Sequence, residues 1–596
     1  MSKFKTFLKS NYLYLAATFL LLLMFTLAIF SIKDDTITND EVVHIPAGYT
    51  YLSLDSRMNP EHPPLQKILS GIFLLPLSPK VPYGSPSWQN ADQWEFGRLF
   101  LFQSSNDADK LIFWARFPTI LLMIILGIFL FRFSRELFGE KVALISLFIY
   151  SFSPNIIAHG RLVTTDLAAT LGTFLSLYCL WRFLENQTRK NLILAGITLG
   201  LALLLKFSTV LLLPLEIILY GVWLIKEKKL IKNFWRSSLN LFLIFIIGLA
   251  MVWFVYGIFT LREPSSLIHS FIGREINYGM LAIPQSYFKP FLHFLASNPL
   301  TKSLSWYLTG LAMVFAHGTG GHTTYFLGQL GNGWWYYFPV SFVLKTPIPI
   351  LIFILLGLGV VFCDLFLRIY QFSKDRPMHL LSSPFKNYLQ KNFHLIYLGI
   401  PILIFWITSM KSSLNLGLRY LLPTYPFLDI LLAYLIYLTL KYILRLGGFL
   451  KYSGLAIVSF LGVWYIFSSL SIFPYYLGYF NEFIGGPKNA YKYSVDSNLD
   501  WGQGLKRLKI YMDKKGISHI NLAYFGKADP DYYKINYHYF RPEDEGRIQG
   551  KTAISATALQ ASGVFREGRW IFLYDFLRKK TPEDAVGYSI LIYDLP

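Results

Sequence analysis

Several side chains in this sequence are hard to explain as packing, because they are charged or titratable and sit at the ends of long apolar runs. The segment TNDEVVHIPAGYTYLSLDSRMNPEHPPLQK carries Asp40 and Glu41, then Asp55, Arg57, Glu61, His62 and Lys67. Arg161 and Asp166 lie between two apolar runs, and Lys206 interrupts the run GLALLLKFSTVLLLP. Arg274 stands in a later polar stretch, and Arg419 enters another apolar run. Ionisable groups at the edge of hydrocarbon are expensive and are functional candidates for that reason. A carboxylate can take the proton of an acceptor hydroxyl. Lys and Arg can bind a phosphate and meet its growing charge as a bond to it breaks. The set therefore suits transfer of a sugar from a polyprenyl phosphate to a hydroxyl, with inversion if displacement is direct. Each residue also has a plain structural alternative. Asp40 and Glu41 could cap a surface helix, Asp166 could cap the span that follows it, and Lys206 could extend its ammonium to the interface.

The elements that must position these groups are membrane spans. Hydrophobic residues make up 54% of the 596-residue chain and charged residues only 15%, against about 25% charged in a soluble protein. Apolar runs of span length are read at roughly 12–32, 111–131, 142–158, 164–183, 191–205, 209–225, 239–258, 340–367, 393–410, 420–440 and 453–473. That predicts a mainly α, polytopic membrane protein with about eleven transmembrane helices. Lys3, Lys5 and Lys9 precede the first run. Alternate loops are then basic: Arg132, Arg135 and Lys141; Arg182, Arg189 and Lys190; Lys226, Lys228, Lys229, Lys232 and Arg236; Arg368, Lys374, Arg376, Lys386 and Lys391; Lys441, Arg445 and Lys451. The positive-inside rule makes that side, and the N-terminus, cytoplasmic. Asp40, Glu61, His62, Lys67, Asp166, Lys206, Arg274 and Arg419 then all fall on the outer side. The same rule explains the net charge of +20 without a nucleic-acid partner.

Two outer loops, about 33–110 and 259–339, and a polar tail after about residue 473 complete the outer side. The expected division is a 1–473 transmembrane domain and a 474–596 extracytoplasmic α/β domain. The tail reads as a helix near Gly504–Lys515 and short strands at Ile520–Tyr524, Trp570–Tyr574 and Tyr588–Tyr593. In DSNLDWGQ, Asp496 and Asp500 are four apart and could cap a helix or bind an acceptor. Trp334 and Trp335 suit an aromatic belt, with Tyr336 and Tyr337 beside them. His317 and His322 form at most an incomplete metal pair, so no metal or other cofactor is expected. Cys179 and Cys363 lie in apolar runs, and no disulfide is expected.

At this point the motifs resemble those of the GT-C membrane glycosyltransferases, and more narrowly the family that joins protein O-mannosyltransferases and the lipid A aminoarabinose transferase. The marks are Asp40–Glu41, NPEHPPLQK at Asn59–Lys67, RLVTTDLAAT at Arg161–Thr170, Leu205–Lys206–Phe207, GWWYYFPV at Gly333–Val340 and LRYLLPTYP at Leu418–Pro426. The segment Tyr479–Gln503 is similar to that of bacterial carrier-dependent glycosyltransferases. The resemblance implies an undecaprenyl- or dolichyl-type phosphate donor, a lipid, glycan or protein hydroxyl as acceptor, and a bacterial-type plasma membrane. It implies Asp40 as base, with Glu41 supporting the acceptor or the site architecture. It implies Lys206 on the carrier phosphate, with His62, Lys67, Tyr336, Tyr337 and Arg274 as further phosphate candidates. Asp166, Glu61 and Arg419 would orient substrate. His62 stands where the aminoarabinose transferase has a phosphate-contacting lysine. The WWDYG signature of oligosaccharyltransferases is absent, which disfavours transfer to asparagine and the metal that accompanies it.

Two other classes compete. A lipid flippase or transporter would use the same charges, though it should show two related halves or broken helices, and neither is read here. A non-catalytic membrane subunit with an outer recognition domain is the third.

Overall fold

The computed structural model describes residues 2–227, 234–260, 262–275, 285–375 and 382–596. Lys228, Lys229, Lys232 and Arg376 of the basic loops lie outside the described residues, as do the side chains of Lys3, Lys5, Lys9, Cys363, Arg368, Lys374 and Lys386.

All the apolar runs are helical, and the protein is a multi-pass membrane protein. Among the described residues eight helices are long and apolar enough to cross a membrane: Asn11–Ser31, Ala108–Phe138, Thr165–Glu185, Phe207–Lys226, Trp235–Thr260, Leu389–Met410, Leu418–Ile443 and Gly448–Ser471. Two further apolar helix pairs are bent, Glu140–Ser151 with Pro154–Gly160 at 63° and Tyr337–Lys345 with Ile348–Gly359 at 119°, each a broken span or a re-entrant loop. The eleventh run, Arg189–Leu205, is a 17-residue helix. It packs between Thr165–Glu185 and Phe234–Thr260. The runs 142–158 and 340–367 are therefore bent, which corrects the reading that the chain has no broken helices. Proline explains both breaks, since it disfavours helix at the residue before it. Ser153 before Pro154 (ψ 112) and Thr346 before Pro347 (ψ 132) are both extended.

The loop 33–110 folds into short helices, of which Glu41–Thr50, Leu65–Ile72 and Gln93–Arg98 matter most. They cross at van der Waals limits because glycines stand at the crossings. A Cβ on Gly48 would lie 2.0 Å from the Lys67 carbonyl oxygen, and one on Gly71 would lie 2.2 Å from the Gly48 carbonyl oxygen.

After the last span the chain forms a small α/β region. Its five-stranded sheet runs Tyr537–Tyr539, Ile520–Ala523, Gly550–Ser555, Ile590–Leu595, Asp584–Val586, with the first two pairings parallel and the last two antiparallel. The helix Leu505–Lys515 buries Leu505, Leu508 and Met512 against it. That same core takes in Ile37, Val42, Ile45, Phe100, Leu101 and Ile112, so loop 33–110 and the C-terminal region share one apolar interior. Asp35 locks them further, accepting from Arg161 at 2.7 Å and Arg507 at 2.6 Å.

Gly48→Ala should lower the thermal midpoint of the purified protein. Overpacking costs about 1–3 kcal/mol, and here the obstructing atom is backbone, which cannot swing away. An unchanged midpoint would show that the two helices separate without loss.

Candidate active site

Four charged side chains from four separate parts of the chain form one row. The Arg419 guanidinium, through NH1, donates to Asp40 Oδ2 at 2.7 Å and reaches Asp166 Oδ2 at 3.5 Å. On its other oxygen Asp166 accepts from Lys206 Nζ at 2.5 Å. The order is carboxylate, guanidinium, carboxylate, ammonium. Its middle is buried, with Asp166 1% and Arg419 9% exposed, while the ends open, Asp40 to 24% and Lys206 to 14%. Aromatic faces back the cations: Trp501 lies 4.3 Å from the Arg419 guanidinium and Tyr420 lies 5.1 Å from Lys206 Nζ. Such contacts favour a desolvated cation.

Backbone signals place each member. Asp40 stands at the start of Glu41–Thr50, yet its side chain makes no cap bond. Among the described residues its Oδ1 has no hydrogen-bond partner, so the oxygen opposite Arg419 is open. Thr164, not Asp166, is the N-cap of Thr165–Glu185. Lys206 breaks the helix ending at Leu205 with an extended backbone (φ −159, ψ 140) and turns into the row. Gly417 at φ 104 turns the chain into the 3-10 stretch Leu418–Thr424, and Arg419 Nε donates to Leu416 O at 3.2 Å. Capping and snorkelling are thus not what Asp40, Asp166 and Lys206 do here.

Glu41, one residue on, touches no part of the row and takes the second of its two expected places, in the site architecture rather than on the acceptor. It is fully buried, and Arg116 holds both its oxygens at 2.8 and 2.6 Å. The amides of Val163 and Thr38 donate to the same carboxylate, each at 2.8 Å. Glu41 thereby ties the Asp40 turn to the segment that leads into Asp166. Burial alone would raise its carboxyl, but the Arg116 charge and these hydrogen bonds hold it below its ordinary value of 4.5.

The remaining candidates divide. His62 meets the site: its ring packs edge-on against His44 at 4.9 Å, and His44 Nδ1 is 2.8 Å from Val163 O. Burial, then the nearby His44, Lys67 and Lys206 charges, hold His62 well below its ordinary range. Lys67 is corrected, because its ammonium is spent inside the loop on Asn59 O (2.7 Å), His62 O (2.8 Å) and Tyr51 OH (2.8 Å). Burial holds it well below the ordinary lysine range, and it presents nothing to a phosphate. Glu61 accepts from Asn59 and Gln93, orienting the turn rather than a substrate. Tyr337 is corrected too: its hydroxyl accepts from Gly417 N at 2.9 Å and Asn498 Nδ2 at 3.0 Å, which pins the Arg419 loop. Tyr336 is half-buried against Phe326 at 6.1 Å. Arg274 is exposed on helix Ser265–Glu275, over the Phe271 ring at 4.6 Å, outside the row. Arg161 serves Asp35 instead of the site.

Sequence reasoning missed Trp501, Tyr420, His44 and His159. His159 is buried with neither ring nitrogen bonded, edge-on to Trp501 at 6.3 Å. Their types, aromatic and histidine near apolar runs, are common in cores, so the motifs that hold His44, Tyr420 and Trp501 drew notice but these residues did not. In DSNLDWGQ, Asp500 and Gln503 build the turn itself, Asp500 through Thr557 and Gln503 through Trp501 N. Among the described residues no group of three or more His, Cys, Asp or Glu could hold a metal ion.

Residues 108–256 match the sequence model of the dolichyl-phosphate-mannose-protein mannosyltransferases. No curated protein sequence matches the chain. Among solved structures, the S. cerevisiae protein O-mannosyltransferase Pmt1–Pmt2 complex bound to the sugar donor superposes with a TM-score of 0.52 at 11% identity, covering 78% of this chain and 90% of that one. The chain has the GT-C fold. Two other GT-C structures align over longer spans with lower scores. ArnT from Cupriavidus metallidurans bound to undecaprenyl phosphate gives 0.43 at 12% identity, over 94% of this chain and 97% of that one. The archaeal oligosaccharyltransferase AglB from Archaeoglobus fulgidus, with an inhibitory peptide and a dolichol-phosphate, gives 0.45 at 11%, over 95% and 74%.

A depressed carboxylate binds protons more readily in the unfolded chain, so its stabilisation is complete above the unfolded value and lost as pH falls through the folded one. For Glu41 that loss begins near pH 4.5. Glu41→Gln should cost about 3–5 kcal/mol at neutral pH, the cost of breaking a buried pair, with a smaller deficit in acid. Unfolding measured across pH checks this, and an equal deficit at every pH would deny the carboxylate its role.

Proposed function

We propose that this chain is a membrane glycosyltransferase that moves a single sugar from a polyprenyl-phosphate donor to an acceptor hydroxyl at the outer face of the membrane, with Asp40 as base and inversion at the anomeric carbon. The carrying observation is the ion-pair row with an open carboxylate at one end and a lysine at the other. A phosphate at Lys206 and a hydroxyl at Asp40 would flank a sugar set along the row.

The chemistry then follows from the residues. Arg419 holds Oδ2 of Asp40 and leaves Oδ1 for the acceptor. The acceptor oxygen attacks C1 and gives its proton to Oδ1. The C1–O bond to phosphate breaks, and the polyprenyl phosphate leaves with the electron pair. Lys206 uses one of its three N–H donors on Asp166 and has two for the departing phosphate. Preorganised donors aimed at developing charge in a dry site are the strongest catalytic device available to a protein. The reading invokes no divalent metal, because the cations are supplied by side chains. It also places the C-terminal region and loop 33–110 outside a plasma membrane, with the N-terminus in the cytoplasm, in keeping with the basic loops. The donor chemistry agrees with the matched family and with the lipid phosphates named for the similar structures.

Transfer from a labelled undecaprenyl-phosphate sugar to envelope acceptors, with the protein in lipid nanodiscs, tests this. Asp40→Asn should lower turnover by about 10²–10⁴-fold while undecaprenyl phosphate still binds, and Lys206→Met should raise the donor KM. Undiminished transfer by Asp40→Asn would remove it as base. Passage of the intact lipid across the bilayer without glycosidic cleavage would make the protein a transporter.

A further inference from the structure

Asp496 approaches the row from the C-terminal region. Its segment is stitched to the Arg419 loop: Leu418 N donates to Asn498 Oδ1 at 2.9 Å, the Ser497 hydroxyl donates to Leu416 O, and Trp501 underlies the guanidinium. Asp496 itself is half-buried in the left-handed region at φ 55. Its amide donates to Thr557 Oγ1 at 3.0 Å, and its Oδ1 accepts from Ser497 N at 2.5 Å. Among the described residues Oδ2 has no hydrogen-bond partner.

The fold does not account for a charge here. The left-handed region accommodates Gly at least cost and takes Asn as readily as Asp, and an Asn oxygen would accept from Ser497 as well. The carboxylate instead shares its surroundings with Asp40, a like charge, as well as with Arg419 and His322. Burial pushes the Asp496 carboxyl above its ordinary range and Asp40 adds to this, while Arg419, the Ser497 amide and His322 only partly offset it. Carboxylates whose burial is only partly offset by nearby charges cluster at functional sites. Asp40, Asp166 and Asp496 now outnumber Arg419 and Lys206, and the surplus carboxylate lies at the Asp40 end, away from the phosphate side.

We propose that Asp496 is an acceptor-binding carboxylate of this site, accepting through Oδ2 a hydrogen bond from a donor group beside the reacting hydroxyl and so holding the acceptor against Asp40. This rests on the transferase reading. It favours an acceptor that carries more than one hydrogen-bond donor, such as a sugar diol, over an isolated hydroxyl.

Asp496→Asn keeps the backbone and the Ser497 bond while removing the charge and replacing the accepting Oδ2 with a donating NH2, and Asp496→Gly relieves the φ. Both are assayed in nanodiscs with an undecaprenyl-phosphate sugar, titrating envelope extract from cells lacking the protein. The expected result for Asp496→Asn is an acceptor KM at least tenfold higher, an unaltered donor KM, and a thermal midpoint equal or raised. An acceptor KM within twofold of the unaltered protein overturns the proposal. So does a fall of the midpoint in both variants with donor and acceptor KM rising together, the signature of a structural part. If the unaltered protein turns over no donor, the transferase reading falls and takes this proposal with it; turnover with unmoved constants removes this proposal alone.

Discussion

The site depends on one guanidinium shared between two carboxylates. Arg419 faces Asp40 and Asp166 at once and rests on the Trp501 ring. It bridges the two acids, and each has an oxygen left for another partner. Asp166 gives that oxygen to Lys206; Asp40 keeps its own open. An alternating row of charges is also stiff, since moving any member uncovers another. Stiffness is what a transfer site needs, because reacting atoms must meet within a few tenths of an ångström.

Adjacent acids in the sequence have opposite fates. Asp40 precedes the first turn of its helix and faces the row, whereas Glu41 enters the helix and turns inward to Arg116. The buried pair adds little net stability by itself; its use is registry. Glu41 joins the Asp40 turn, the Val163 segment and the helix carrying Arg116 into one unit. Lys67 and Tyr337 do comparable work elsewhere, one gathering carbonyls of the NPEH turn, the other anchoring Gly417. The resemblance names Lys67 and Tyr337 for the phosphate and Glu41 for the acceptor or the site architecture, and in the structure all three are engaged in internal hydrogen bonds.

The C-terminal region is not an appendage to a membrane domain that is complete without it. It shares an apolar interior with loop 33–110, lends Arg507 to Asp35, and supplies the aromatic floor of Arg419. Trp501 O also accepts from Asn39 N at 2.8 Å, one residue from Asp40. Both flanks of the Asp40–Arg419 pair are therefore held by the same turn.

Much of this was legible in the order of residues. Long apolar runs have only helical solutions in lipid, so the spans, their basic flanks and the small α/β tail followed from composition and period. Asp40, Asp166, Lys206 and Arg419 stood out because charge beside hydrocarbon has a cost that packing alone does not offset. The division of labour among those charges was not legible. Whether a carboxylate opens to solvent or folds onto an arginine 75 residues away is set by backbone direction and by the glycine crossings at Gly48 and Gly71. The return of residues 496–501 beneath Arg419 is likewise a long-range packing outcome, whereas the kinks at Pro154 and Pro347 are local to the prolines. Residue type fixes which interactions are affordable, and only the tertiary arrangement decides which partner each group finds.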